Sequence, residues 1–192
     1  MIDQIFKTIP IKGKYCHLYP VEVEDAKLIF DLRTERGEHL KKIGATVEDQ
    51  KMYLQKYLVK YEAQEEIYFK MWDWKVKKFV GVTRFTELDN RNKFGFESGV
   101  MRTDSAPNIY IDAMFIIMKI GFDFLNKKYS GPWLVDSKNE RMIKFHLAIG
   151  IAKLLEKNND YHVFHASRDD YYKKVAKFEK LGFGKITNLK SG

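Results

Sequence analysis

Three short runs place reactive side chains at spacings that suit proton transfer or anion binding. In the first, Glu97 stands in Gly95-Phe96-Glu97-Ser98-Gly99, a carboxylate with a glycine near it on either side. Strand alternation puts Gly95, Glu97 and Gly99 on one face and Phe94, Phe96, Ser98 and Val100 on the other. The glycines leave space beside a carboxylate able to accept a proton. In the second run, Asn139 is followed by Phe145 and His146, and an imidazole with an ordinary pKa near ~6.5 can accept or donate a proton around neutrality. The third run is Thr103-Asp104-Ser105-Ala106-Pro107-Asn108-Ile109. Asp104, Ser105 and Asn108 are cap residue types and Pro107 suits a first helical turn, so unpaired N–H groups are expected to point out of a helix start there. Such an end attracts anions, phosphates included. Each run also has an ordinary reading: a solvated strand glutamate, a packed helix histidine, and a helix start without a ligand.

The elements that must hold these runs are readable from pattern. Residues 108–151 read as helix, strand and helix. Ile109, Ala113, Ile116, Ile117, Ile120, Phe124 and Leu125 form a 3.6-residue apolar stripe that calls for one face packed on a sheet. A Gly131-Pro132 turn then precedes a short strand over 133–135, and a helix over 139–149 ends at Gly150. Before this segment, 1–13 is a lead-in and 15–21 a first strand. A helix follows with Glu22, Glu24 and Asp25 at its start, where the dipole favours them. Residues 34–45 are expected to form a loop over a substrate. Thr46 caps a helix reaching about residue 63, with Met52, Leu54, Tyr57, Leu58 and Tyr61 as its apolar side. Strands over 67–74 and 78–88 form an antiparallel pair, Asp89-Asn90-Arg91-Asn92 turns, and 93–102 is the strand that carries Glu97. After residue 151, strands over 152–155 and 161–166 precede a helix capped by Ser167, with Tyr171, Val175, Phe178 and Leu181 on its apolar side and Gly182 at its end.

Composition narrows the classes. A chain of 192 residues, 45% hydrophobic and 15% aromatic, suits one domain with a sizeable core. Lys119 and Asp123 interrupt the longest apolar stretch, so no membrane insertion is expected. The opening MIDQIFKTIPIKGK lacks an uninterrupted apolar core, and no signal peptide is expected. The single cysteine, Cys16, excludes an intramolecular disulfide and a cysteine-cluster metal site. A cytoplasmic protein without a metal is the simplest reading. The net charge of +8 is spread over lysines in amphipathic segments and suits solvated faces with a site for a polyanionic nucleotide ligand; no nucleic-acid motif accompanies it.

The spacing Asn139, Met142, Ile143, Phe145, His146, Ile149, Gly150, Ile151 resembles the acetyl-CoA-binding signature of GNAT N-acetyltransferases. Ala113-Met114, Ile117-Met118 and Gly121-Phe122 fall where that family carries comparable pairs in the preceding helix. Further matches are the opening LYPVEVEDAKLIFDLR and the run IYFKMWDWKVKKFVGVTRFTEL, so the likeness extends from Leu18 to Phe183. FEKLGF, at 178–183, also resembles the end of the signature. That register puts Tyr171 where the asparagine belongs and leaves no strand between the helices, so the Asn139 register is preferred.

The resemblance implies a single-domain α/β fold over 1–192, with a mixed, mostly antiparallel sheet, two strands parallel where they splay, and helices on both faces. It implies acetyl-CoA as cosubstrate, held by Val100, Met101, Arg102, Ser105, Ala106, Asn108, Ile109, Asn139 and Phe145. The family's loop usually carries glycines where Ala106 and Asn108 stand, and Pro107 contributes no donor. Acyl transfer to an amine needs a base, donors for the oxyanion and a proton for the thiolate. Glu97 is implied as the base, and His146, standing where the family has a tyrosine, as the proton donor. A small-molecule amine is the expected partner, preferably an amino-sugar nucleotide as in the branch associated with surface polysaccharides. A protein N-terminus, a polyamine or an aminoglycoside stays open, as does a homodimer. The competing reading is a degenerate GNAT domain that binds a partner or RNA through its basic surface.

Overall fold

The computed structural model describes residues 2–35 and 44–189. In chain order the elements are α1 (Ile2–Thr8), β1 (Ile11–Lys12), β2 (His17–Pro20), a 3-10 turn at Val23–Asp25 leading into α2 (Ala26–Glu35), α3 (Val47–Glu62), β3 (Ile67–Asp73), β4 (Lys78–Thr86) and β5 (Lys93–Met101). The second half comprises α4 (Pro107–Lys119) running into a π-helical turn (Ile120–Phe124), β6 (Tyr129–Asp136), α5 (Glu140–Ile149), β7 (Lys153–Lys157), β8 (Tyr161–Ser167) and α6 (Arg168–Leu181). The strands form one eight-stranded sheet in the order β1-β2-β3-β4-β5-β6-β8-β7. Every neighbouring pair is antiparallel except β5 and β6, which are parallel. This is the single α/β layer arrangement expected from the sequence.

Two cores flank the sheet. On one face Ile109, Ala113, Ile116 and Ile117 of α4 and Ile120 of the π-helical turn share a core with Phe69, Phe85, Phe94 and Phe164, with α5 and α6 beside them. On the other, Ala26, Ile29 and Leu32 of α2 and Leu54 and Tyr57 of α3 pack on Tyr68, Val82 and Val100. Burial of such side chains at roughly 1.5–3 kcal/mol each is the dominant force holding helices to sheet. Asp112, buried in the middle of α4, accepts hydrogen bonds from the backbone N–H groups of Tyr15 (2.7 Å), Cys16 (3.0 Å) and Gly184 (2.8 Å). Burial raises its pKa, and those three donors oppose the rise.

Local chemistry explains most helix limits. Thr46 accepts from the Asp49 N–H while the Asp49 carboxylate reaches back to the Thr46 N–H, a reciprocal box that starts α3. Ser167 caps α6 through the Asp170 N–H, and Asn139 caps α5 through the Met142 N–H. Gly150 ends α5 at φ 71°, in the left-handed region open to glycine.

Several expectations are corrected. The 1–13 lead-in contains α1 and β1, and the strand expected over 15–21 is only His17–Pro20, β2. Thr34 and Glu35 belong to α2, and the rest of the expected substrate loop up to residue 43 lies outside the described residues. Gly131 and Pro132 lie inside β6, not in a turn before it; the register with β8 shifts between Ser130 and Trp133, an irregularity that tolerates a proline without a ladder donor. Met52 and Leu181, assigned to apolar faces, are exposed, while Gln50 takes a buried place on α3. The start of α4 is also different: its cap is Ala106, which makes no side-chain hydrogen bond, so none of Asp104, Ser105 and Asn108 caps it.

Candidate active site

β5 and β6 pair only at Lys93 with Tyr129 and at Phe94 with Ser130, and beyond that they part. Parallel strands that separate leave unfilled space between them, and here it is a cleft of about 360 Å³. Phe96, Glu97 and Gly99 of β5 form one wall, and residues 132–136 of β6 the other. Asn139, Met142 and His146 of α5 and Tyr110 of α4 complete it.

The strand bearing Glu97 carries a bulge. Val82 of β4 faces Val100 and Arg84 faces Glu97, so two steps along β4 match three along β5. The extra residue falls at Ser98-Gly99 and breaks the alternation expected for this strand. Phe96 stays with the α4-side core, whereas Val100 packs on the opposite face with α2 and α3. The expected common face for Phe94, Phe96 and Val100 is therefore corrected. Glu97 is exposed, opposite Arg84, and its carboxylate accepts from the Thr86 hydroxyl at 3.3 Å.

Glu97 also lines a second cavity of about 330 Å³, together with Lys60, Glu65, Glu66, Arg84, Thr86, Glu87 and Asp89. Arg84 donates to Glu66 and to the Tyr53 hydroxyl, and its guanidinium lies over the Tyr53 and Tyr68 rings. Glu87 pairs with Lys93 at 2.7 Å. The carboxylates still outnumber the cations along this wall, so the space favours a positively charged guest.

His146 is only 4% exposed, among the rings of Trp133, Phe145 and Phe164. Burial lowers its pKa to about 4, because the imidazolium would lose its hydration there. Its Nε2 accepts a long hydrogen bond of 3.4 Å from the Trp133 indole N–H. The ring is therefore neutral near pH 7.

The remaining residues implied in cosubstrate binding fall into three groups. Asn139 lines the cleft, and Phe145, outside that lining, packs on Tyr110 at 5.6 Å between ring centroids. Val100 and Met101 end β5 beyond the bulge, where Val100 is buried in the α2 and α3 core. Arg102, Ser105, Ala106, Asn108 and Ile109 form the run into α4, with Arg102 pairing Nε to Asp104 at 3.2 Å. None of this third group lines the cleft. Ala106 has φ −68° and ψ 129°, ordinary for any residue, and Asn108 is helical, so the missing glycines carry no backbone strain. The uncapped start of α4 and the buried Ser105 hydroxyl, which has no partner among the described residues, fit an anionic group at this loop.

Sequence reasoning passed over Trp133 and Tyr110. Trp133 had a signal, since a buried indole needs an acceptor. Tyr110 had only its place in the first turn after the loop; its contact with Gly99 crosses from helix to strand and has no local signature.

No family model matches this sequence, and neither does any curated protein. Solved structures do match in fold. A structure described as apo FdhC, a nucleotide-linked sugar GNAT, superposes with a TM-score of 0.78 at 19% identity, covering 91% of this chain and 98% of that one. A ribosomal-protein-S5-alanine acetyltransferase from Vibrio fischeri gives 0.64 at 14% identity, covering 83% and 97%. A variant of the spermidine N-acetyltransferase SpeG from Vibrio cholerae gives 0.63 at 13% identity, covering 85% and 99%. The chain has the GNAT fold.

Proposed function

We propose that this protein is an acetyl-CoA-dependent N-acetyltransferase for a small amine, with an amino-sugar nucleotide as the preferred acceptor. The observation that carries this reading is the parting of β5 from β6 beside the bulge, with Glu97 lining both a carboxylate-rich cavity and the cleft, where apolar walls such as Phe96, Trp133 and Val135 stand beside Asp136 and Asn139. Acetyl-CoA bound in the cleft supplies the acetyl group as a thioester. The uncharged pantetheine arm suits walls such as Phe96, Trp133 and Val135, and the loop 102–109 at the start of α4 holds the diphosphate through N–H groups and the Ser105 hydroxyl. Asn139 acts through the helix it starts, fixing α5 along the cleft.

The acceptor comes from the other side. An amine enters as its ammonium form among Glu65, Glu66, Glu87 and Asp89, and Glu97 takes a proton from it, directly or through water, so that the nitrogen can attack. Carboxylates repel phosphates, so an amino-sugar nucleotide presents its amine inward and keeps its diphosphate outside. Supporting this acceptor class is the likeness to a structure described as a nucleotide-linked sugar GNAT.

Titration calorimetry with acetyl-CoA tests the donor side, with a dissociation constant expected between ~1 μM and ~1 mM. Failure to bind at the upper limit sinks the enzyme reading. Release of free thiol in the presence of amino-sugar nucleotides, polyamines, aminoglycosides and an N-terminal peptide tests the acceptor; turnover of a polyamine alone would remove the amino sugar.

A further inference from the structure

The departing thiolate needs a proton, and the cleft lining contains few groups able to give one. His146 is neutral and its Nε2 accepts from the Trp133 indole, which uses the indole proton; the N–H it keeps belongs to an uncharged imidazole, a weaker acid than a phenol. Glu97 is assigned to the amine, Asp136 is a carboxylate acceptor, and Asn139 is an amide whose oxygen caps α5. Among the described lining residues this leaves one hydroxyl, that of Tyr110.

Its geometry places it at the bulge. Tyr110 lies in the first turn of α4, with its ring against Phe96 at 5.9 Å and Phe145 at 5.6 Å between centroids. A Cβ built on Gly99 would lie 2.6 Å from the phenol oxygen and still closer to the ring, so the hydroxyl rests on the β5 backbone where the strands part and only glycine admits it.

We propose that Tyr110 is the proton donor to the CoA sulfur, a role that rests on the acetyl-transfer reading above. The amine nitrogen forms its bond to the acetyl carbon, the carbon–sulfur bond breaks, and its electron pair on sulfur takes the phenol proton. The phenolate regains a proton from water, and the proton lost by the amine leaves through Glu97, so the products are an amide and a free thiol. Burial raises the Tyr110 pKa, and the same dry surroundings raise that of the adjacent thiol, so burial does not by itself oppose transfer between them.

The test compares wild type with Tyr110→Phe, a change that keeps the ring packing. In calorimetry, wild type is expected to bind CoA about 3- to 10-fold more tightly than desulfo-CoA, the value of one hydrogen bond to sulfur, and Tyr110→Phe to bind the two equally. In kinetics the variant's kcat is expected to fall roughly 10- to 1000-fold with acetyl-CoA affinity within a few-fold. An unchanged kcat, or equal loss of affinity for both ligands, overturns the role of Tyr110 alone. If wild type binds neither ligand, the acetyl-transfer reading itself falls, and this inference with it.

Discussion

The cleft between β5 and β6 is walled by Phe96, Tyr110, Trp133, Val135 and Met142, whereas the cavity it meets at Glu97 is walled by Glu65, Glu66, Glu87 and Asp89, with Arg84 and Lys60 among them. The first side, which Glu97 and Asp136 also line, buries a histidine deeply enough to keep it neutral; the second concentrates charge. Under the proposed function an uncharged thioester and a cationic amine would each be drawn to a different side, with Glu97, the proposed base, at the boundary. Such a separation by polarity would orient the two substrates of the proposed reaction.

The sharpest way to break this contrast is to remove the boundary charge. Glu97→Gln is expected to lower kcat/KM for the amine roughly 100- to 1000-fold, with acetyl-CoA affinity within about twofold. Raising the pH should restore part of the rate by deprotonating the amine in solution. Unchanged kinetics across a pH series would leave Glu97 as a solvated strand residue.

On the apolar side, His146 links the contrast to stability. Its folded pKa of about 4 lies below the unfolded value near 6.5, so the unfolded state binds more protons between these limits. The contribution is complete above pH 6.5 and is lost as the pH falls through 4, a difference of about 3 kcal/mol at roughly 1.4 kcal/mol per pKa unit. Urea unfolding at pH 7 and pH 4 should show His146→Phe losing less stability on acidification than wild type, by that amount. Equal losses would mean that the imidazole is hydrated.

On the acidic side, Glu65→Gln with Asp89→Asn is expected to raise KM for a cationic acceptor about fivefold per charge, near 1 kcal/mol each in a solvated cavity, and to spare acetyl-CoA. No change would place the amine elsewhere. The smallest effect concerns the start of α4. Ala106→Ser should stabilise the fold by about 0.5–1 kcal/mol by supplying the missing cap, yet weaken acetyl-CoA binding about two- to fivefold, because the serine oxygen competes for the same N–H groups. Tighter binding would show that the phosphates do not use them.

What the sequence disclosed follows the range of the interactions. Thr46, Asn139, Gly150, Ser167 and Gly182 act within a few residues of themselves, and each helix limit they announce is where the structure puts it. The apolar stripe of α4 and the sheet it requires were legible for the same reason. The site's own geometry was not. The bulge at Ser98-Gly99 exists only relative to β4, so alternation read along one strand assigned Val100 to the wrong face. The setting of His146 depends on Trp133 and Phe164 from two other strands, and the seven-residue step from Asn139 carries none of it. Glu66 and Arg84, separated by 18 residues, gave no sign that they pair beside Glu97.

The carboxylate of Asp112 has a consequence for the order in which the chain acquires its shape. Two of its three backbone donors come from near the start of the sequence and the third, Gly184, from near its end. A nascent chain emerging from a ribosome can therefore assemble α4 on the early strands while one donor to a buried charge is still missing. The segment that begins the proposed cosubstrate site is not fully anchored until residue 184 has been made, and a chain stopped before it should yield α4 to a protease that spares the finished protein.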